Sequence, residues 1–303
     1  MDFTVNLGKI TLKNPIITAS GTFGYGVEFA NFGPLEKLGA IVVKGLSLTP
    51  RKGNPGMRIA ETPCGMLNSI GLENIGVSAF IERALPHLPW EKTPIIVNLY
   101  GETEEEFQKL ASIFAKEERI AALEINISCP NVKEGGMLFG QDPVAAAKVC
   151  EGVKKEAGDK MIIIKLTPSA PHLKEVAQSV EMAGADAISL INTIPALAVD
   201  IYTRRPKLTN VIGGLSGPAI KPIAQKMVYD VVECVDIPVI GIGGIMSAED
   251  VFEYILIGAH AVEIGSANLI NPTISFNIAQ DMEKVAERLG ISSLEEYRGT
   301  LKV

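Results

Sequence analysis

The sequence predicts an α/β fold, a closed (β/α)8 TIM barrel, on three observations. Eight short apolar or β-branched runs recur along the chain, amphipathic stretches lie between several of them, and a length of 303 residues suits one such barrel. Strand–helix alternation requires parallel pairing, and parallel strands must bury both faces. A closed barrel meets that need better than an open doubly wound sheet, the alternative arrangement. Residues 1–303 read as a single domain, with no repeat beyond the strand–helix alternation and no linker rich in Pro, Gly and Ser.

Phe3 to Leu12 alternates around Gly8, which predicts a small antiparallel N-terminal β-hairpin capping one end of the core. The barrel strands follow as PIITAS (Pro15–Ser20), AIVVKG (Ala40–Gly45), PIIVNLYG (Pro94–Gly101), ALEINISC (Ala122–Cys129), MIIIKLT (Met161–Thr167), AISLINT (Ala187–Thr193), PVIGIGG (Pro238–Gly244) and AVEIGSA (Ala261–Ala267). Helical patterns run over Thr103–Lys116, Asp142–Glu156, Pro171–Ala183, Pro218–Val232 and Ser247–Ile257, some opened by Thr, Asp or Ser in N-cap or first-turn positions. Leu46–Thr93, Pro130–Gln141 and Ile194–Gly217 are extended connections, and long loops in a compact domain are usually functional.

Lys+Arg 28 against Asp+Glu 35 gives a formal net charge of -7 with both signs interspersed, so there is no footprint for nucleic acid or an anionic membrane. No charged segment leads into an apolar one at the N-terminus, and the apolar runs elsewhere are too short to span a bilayer, so a cytoplasmic protein is expected. The four cysteines, Cys64, Cys129, Cys150 and Cys234, form no CxxC pair, so neither a metal site nor an iron–sulfur cluster is expected in this chain.

Catalytic residues of such barrels collect at the C-terminal strand ends. Here those ends carry Ser20, Lys44, Asn98, Asn126 with Cys129, Lys165, and Asn192 with Thr193. Any one of these could simply pair with a neighbour, because a buried amide left without a partner costs roughly 2–7 kcal/mol. Six strands all ending in polar groups favour a bound polar ligand. The last two strands end instead in GIGG (Gly241–Gly244) and IGSA (Ile264–Ala267), each leading into a helical segment, which reads as a phosphate cradle. GIGGIM is not GxGxxG, so a Rossmann NAD site is not supported.

Cys129 stands where a strand meets the glycine-containing loop PNVKEGGMLFG, a place where a thiol can face a ligand under a lid. Cys150 lies in an Ala- and Val-rich helical pattern and reads as core, whereas Cys64 and Cys234 have no polar constellation around them. His87, His172 and His260 lack ligand spacing and read as structural or surface residues, and Glu102–Glu106 as a solvated first helical turn.

These segments together resemble one family. KGLSLTPRKGNPGMRIAETPCGMLNSIGLEN (Lys44–Asn74), VNLYG, EINISCPN, IIIKLTP, LINTI, GGLSGPAIKPIA, IPVIGIGGI and EIGSA are similar to class 1 dihydroorotate dehydrogenase over nearly the whole chain. RIAETP…GMLNSIGLEN resembles class 1B, the catalytic flavoprotein that works with a separate iron–sulfur and FAD subunit, rather than the fumarate-using class 1A. Class 2 enzymes use serine where this chain has Cys129.

The resemblance implies FMN and the oxidation of dihydroorotate to orotate in pyrimidine synthesis, with Cys129 as the base that takes the C5 proton. It implies that Lys44, Asn68, Ser69, Ile70, Gly71, Leu72, Asn126, Asn192 and Thr193 hold the substrate. Ser20, Lys44, Gly45, Asn98, Asn126, Lys165 and Ile191 would contact the flavin, and Gly217, Gly243, Gly244, Gly265 and Ser266 its phosphate end. FAD and a 2Fe-2S cluster would reside only in a partner subunit, within a heterotetramer of two plus two chains built on a homodimer core. Three alternatives stand beside this reading: a class 1A enzyme without a partner, a phosphate-binding Schiff-base aldolase using Lys165, and a non-enzymatic flavin or nucleotide carrier.

Overall fold

The structure, a computed structural model, describes residues 1–128 and 139–303. The N-terminal hairpin pairs β1 (Val5–Asn6) with β2 (Thr11–Leu12) in antiparallel register, Val5 opposite Leu12. Gly8 turns it at φ 87°, a conformation that costs a β-carbon but not glycine, and its N–H donates to Asn6 Oδ1 at 2.8 Å. Val5, Leu7 and Leu12 join the core, and Lys9 reaches the Lys160 carbonyl and Asp186, just ahead of two barrel strands. The hairpin therefore closes the N-terminal end of the barrel, opposite the strand ends that carry the polar residues.

Eight parallel strands form the closed barrel. In chain order they are β3 (Ile16–Thr18), β4 (Ala40–Leu46), β7 (Ile95–Leu99), β8 (Ala122–Asn126), β9 (Met161–Lys165), β10 (Ala187–Leu190), β15 (Val239–Ile242) and β16 (Ala261–Ile264). All eight expected runs thus become barrel strands, and β9 pairing β10 completes the ring. Burial on both faces explains the unbroken apolar character of runs such as Ile95–Val97 and Met161–Ile164.

The expected helices form outside the ring. The helix α1 (Glu104–Ala115) is capped by Thr103 and buries Phe107, Leu110, Ala111 and Phe114 at helical spacing. Asp142 Oδ1 accepts from Ala145 N–H at 2.7 Å to start α2 (Pro143–Glu156). The helix α3 (Leu173–Met182) starts two residues later than the pattern, and α4 (Lys221–Val232) follows a 3-10 turn, Pro218–Ile220. A reciprocal Ser247–Asp250 capping box starts α5 (Ala248–Leu256). The sequence reading did not single out α6 (Ile274–Leu289), which packs Phe276, Ile278, Met282 and Val285 inward and ends at Gly290 in the left-handed region.

Two of the extended connections contain ordered strands. Leu46–Thr93 supplies β5 (Ile59–Thr62) and β6 (Gly65–Asn68), and Ile194–Gly217 supplies β11 (Ile194–Leu197) and β14 (Ile212–Ser216). They form one antiparallel sheet in the order β11-β14-β6-β5, with Gly214 opposite Asn68. A separate ribbon joins β12 (Val199–Asp200) to β13 (Arg205–Pro206). Among the described residues no helix is long and apolar enough to cross a membrane.

Candidate active site at the barrel mouth

The floor of the site is a buried charge cluster. Lys165 Nζ, at the end of β9, donates to Glu263 Oε2 at 2.8 Å and lies 3.3 Å from both carboxylate oxygens of Glu124. Glu124 Oε1 also accepts from Ser189 Oγ at 2.8 Å, and Oε2 from Asn98 Nδ2 at 2.6 Å. Asn98 pairs in register with Glu124, and Lys165 with both Asn126 and Ser189, while Glu263 sits across the ring on β16.

Every side chain of this cluster is essentially inaccessible to water. Burial disfavours the Lys165 cation, yet the two carboxyls hold its pKa above the ordinary lysine value. Glu124 and Glu263 part company. Burial opposes the Glu124 charge, but Lys165 and the surrounding donors hold its pKa below normal; burial and the Glu124 charge push Glu263 well above it. A Schiff-base lysine requires an accessible amine that readily loses its proton. Lys165 meets neither condition, so the aldolase alternative is set aside.

The layer nearer the opening is made of amides. Asn126 Oδ1 accepts from Asn192 Nδ2 at 3.3 Å and from Ser128 N–H at 3.2 Å, and Ser128 Oγ donates to the Lys165 carbonyl at 3.0 Å. Ser128 is thus anchored to the ends of β8 and β9. Thr193 N–H is held by Asn192 Oδ1 at 2.8 Å, and the Thr193 hydroxyl packs so closely that a β-carbon on Gly214 would lie 2.0 Å from it. Ile191 is buried, its N–H on the Ile242 carbonyl at 3.1 Å.

Lys44 is treated differently from Lys165. It is half-buried, its ammonium has no hydrogen-bond or ion-pair partner among the described residues, and burial lowers its pKa. Its Nζ lies 3.5 Å from where a β-carbon on Gly21 would sit, next to the half-buried Ser20. A β-carbon on Gly45 would come within 2.7 Å of Asn98 Oδ1, so glycine lets that amide sit against β4.

The segment Asn68–Leu72 leaves the end of β6, where Asn68 Nδ2 donates to the Gly214 carbonyl at 3.3 Å. Gly71 and Leu72 take positive φ, 74° and 60°, and Asn54 fixes the turn through the Ser69 and Ile70 carbonyls. The buried Ser69 hydroxyl has no partner among the described residues. Glu73 and Arg58 both act electrostatically on Lys44, placing this segment near it.

Gly243 and Gly244 are consecutive positive-φ residues, at 143° and 68°, where added β-carbons would meet Ala224 Cβ at 2.5 Å and Lys221 Cβ at 2.7 Å. Their N–H groups are not taken up by any group among the described residues. Gly217, at φ 101°, passes 2.7 Å from Gly65 Cα on the same measure, whereas a β-carbon on Gly265 would make only ordinary contact with Ala19. The helix component of the expected cradle needs correcting. Asp250 already accepts from Met246 and Ser247 N–H at the start of α5, and the turn after Ser266 is only a four-residue helix, Ala267–Ile270. The two glycine turns therefore offer backbone N–H groups without a free helix N-terminus behind them.

Glu124, Glu263 and Ser189 escaped the sequence reading, although a lone Glu inside ALEIN and another inside AVEI were visible signals, because an ionised group in a buried strand needs a partner. Tyr254, which donates from its hydroxyl to the Gly243 carbonyl at 2.7 Å, and Asn268, which donates to the Ile264 and Gly265 carbonyls, hold the glycine turns from behind and gave no such signal. Cys129 lies outside the described residues. Cys150 is core, its thiol pushed up to about 12 by burial, and His260 Nδ1 accepts from Val239 N–H at 3.3 Å.

Residues 3–286 match the dihydroorotate dehydrogenase family. The chain is 57% identical over 303 residues to dihydroorotate dehydrogenase B (NAD(+)), catalytic subunit, of Maridesulfovibrio salexigens, covering 100% of this chain and 99% of the relative. It is 56% identical, with the same coverage, to the protein of that name from Solidesulfovibrio magneticus. The crystal structure of the Eimeria tenella dihydroorotate dehydrogenase in complex with ferulenol superposes with a TM-score of 0.81 at 20% identity, covering 99% of this chain and 88% of that one.

Proposed function

Because the chain belongs to the dihydroorotate dehydrogenase family, we propose that it oxidises (S)-dihydroorotate to orotate in de novo pyrimidine (UMP) biosynthesis, with FMN as its cofactor. The observation that carries this reading is the convergence, at one barrel mouth, of Lys44 without an ion-pair partner among the described residues, an amide pair at Asn126 and Asn192, and the glycine turns. Two features support FMN: the Gly243–Gly244 amides, with Gly217, Gly265 and Ser266, would take its phosphate, and Ser20, Lys44, Gly45, Asn98, Asn126, Lys165 and Ile191 would contact its ring. When bound, FMN supplies the acceptor for the hydride leaving C6 of the substrate.

The chain's own residues would do the rest. Lys44 pairs with the substrate carboxylate, and Asn68, Asn126, Asn192 and Thr193 meet the pyrimidine edge, each amide offering both a donor and an acceptor. Ser69, Ile70, Gly71 and Leu72 form the wall against which the ring lies. Cys129, delivered by the strand whose end Ser128 anchors, removes the C5 proton as thiolate, so activity rises with pH through the ordinary thiol range near about 8.5.

With no iron–sulfur cysteine cluster in the sequence, electrons would leave through a partner subunit carrying FAD and a 2Fe-2S cluster and reach NAD, in a cytoplasmic heterotetramer built on a homodimer. The names of the relatives, NAD-linked catalytic subunits, support this. Residues 1–303 would form one FMN-binding domain.

The test is anaerobic mixing of the flavin-loaded chain with dihydroorotate. The flavin should bleach in a single turnover, and Cys129→Ala should keep FMN yet bleach at least about 100-fold more slowly. An unchanged rate in that variant removes Cys129 as the base. Turnover with fumarate by this chain alone would assign it to class 1A.

A further inference from the structure

The floor cluster brings two carboxyls to one ammonium in a space that water does not reach. Were both carboxyls ionised, the barrel interior would hold an uncompensated negative charge, a state that proteins avoid by binding a proton. The donors are unequally shared. Glu124 has Asn98, Ser189 and Lys165 on its two oxygens, whereas Glu263 has Lys165 on Oε2 and the Glu124 carboxyl within hydrogen-bonding reach, and its Oε1 has no partner among the described residues.

We propose that Glu124 and Glu263 share a single proton, resting on Glu263, so that with Lys165 they form a neutral triad. Both are positioning residues: they hold the Lys165 ammonium at a set charge balance under the proposed flavin. Among the described residues the charged groups acting on Glu263 are Glu124 and Lys165, and burial together with the Glu124 charge favours its neutral form. Because the proton belongs to the pair, loss of either carboxylate leaves the other to balance Lys165. Loss of both leaves an unbalanced cation.

The inference rests on the FMN reading only for its second readout. Infrared spectroscopy of the full chain, with or without flavin, should show a buried protonated carboxyl at neutral pH that is absent from Glu263→Gln and from Glu124→Gln. The midpoint potential of bound FMN should then be unchanged in each single variant. In Glu124→Gln/Glu263→Gln it should rise by an amount equal to at least a tenfold tighter hold on the reduced form, about 30 mV for a two-electron couple.

Absence of the carboxyl band, or a single variant that shifts the potential as far as the double, overturns the shared proton. A double variant that folds and leaves the potential unchanged overturns the positioning role. If the double variant fails to fold, the band and the Glu263→Gln potential decide. A chain that shows the band but takes up no FMN retains the triad and refutes the functional reading instead.

Discussion

Lys44 and Lys165 end two strands of the same barrel, and the fold treats them in opposite ways. Lys165 is enclosed by two carboxyls that raise its pKa, whereas Lys44 stands half-buried with no hydrogen-bonded or ion-paired acid among the described residues, its pKa lowered by burial despite the more distant Glu73. Ammonium groups are stabilised in protein by compensation or by water, and each lysine has one of these in short supply. Lys165 is compensated from within the chain and serves as a fixed charge. Lys44 is left for a ligand to compensate, which is why the proposed substrate carboxylate belongs there.

The hardest test of this contrast is Lys165→Met. It strips the cation from a buried carboxylate and should lower unfolding free energy by about 3–5 kcal/mol in urea titrations. A loss below about 1 kcal/mol would mean that the cluster is not a structural charge network.

Lys44→Met should do the reverse. Stability should change by less than about 1 kcal/mol, while orotate, titrated against the flavin spectrum, should bind about 10- to 100-fold more weakly through loss of a charge-assisted hydrogen bond. Equal losses of stability in the two variants would erase the distinction.

The smallest effect is on pH dependence, and its sign differs between the two. Lys165, with a folded pKa above 10.5, contributes stability that is fully present below 10.5 and is lost as pH rises through the folded value. Lys44 has a folded pKa below 10.5, so the unfolded chain binds more protons in that window and the Lys44 contribution grows more favourable as pH rises. Orotate binding should weaken over the same range as Lys44 loses its charge. Urea titrations of the parent and both Met variants from about pH 9 to about 11 separate the two slopes.

What the sequence carried depended on the distance over which a signal acts. Each barrel strand announces itself within a few residues, because burial on both faces demands a continuous apolar run such as Ile162–Ile164. Capped helices are equally local: Thr103, Asp142 and Ser247 each bond an N–H three residues on. The sheet over the mouth has no such signature. Gly213 and Gly214 are poor strand formers, and β14 pairs with β6, placing Gly214 opposite Asn68 in a segment that the chain keeps far away.

The sequence by itself therefore determined the barrel, the hairpin at its base and the ring of polar strand ends, since those follow from local periodicity and strand polarity. Only the tertiary structure decided what each polar end is for. Asn98 and Lys165 became partners of Glu124, Asp250 took the helix start expected for phosphate, and Lys44 kept no ion-pair partner among the described residues. Charge pairing depends on separations of a few ångströms across strands distant in sequence, and closure of the barrel alone sets those separations.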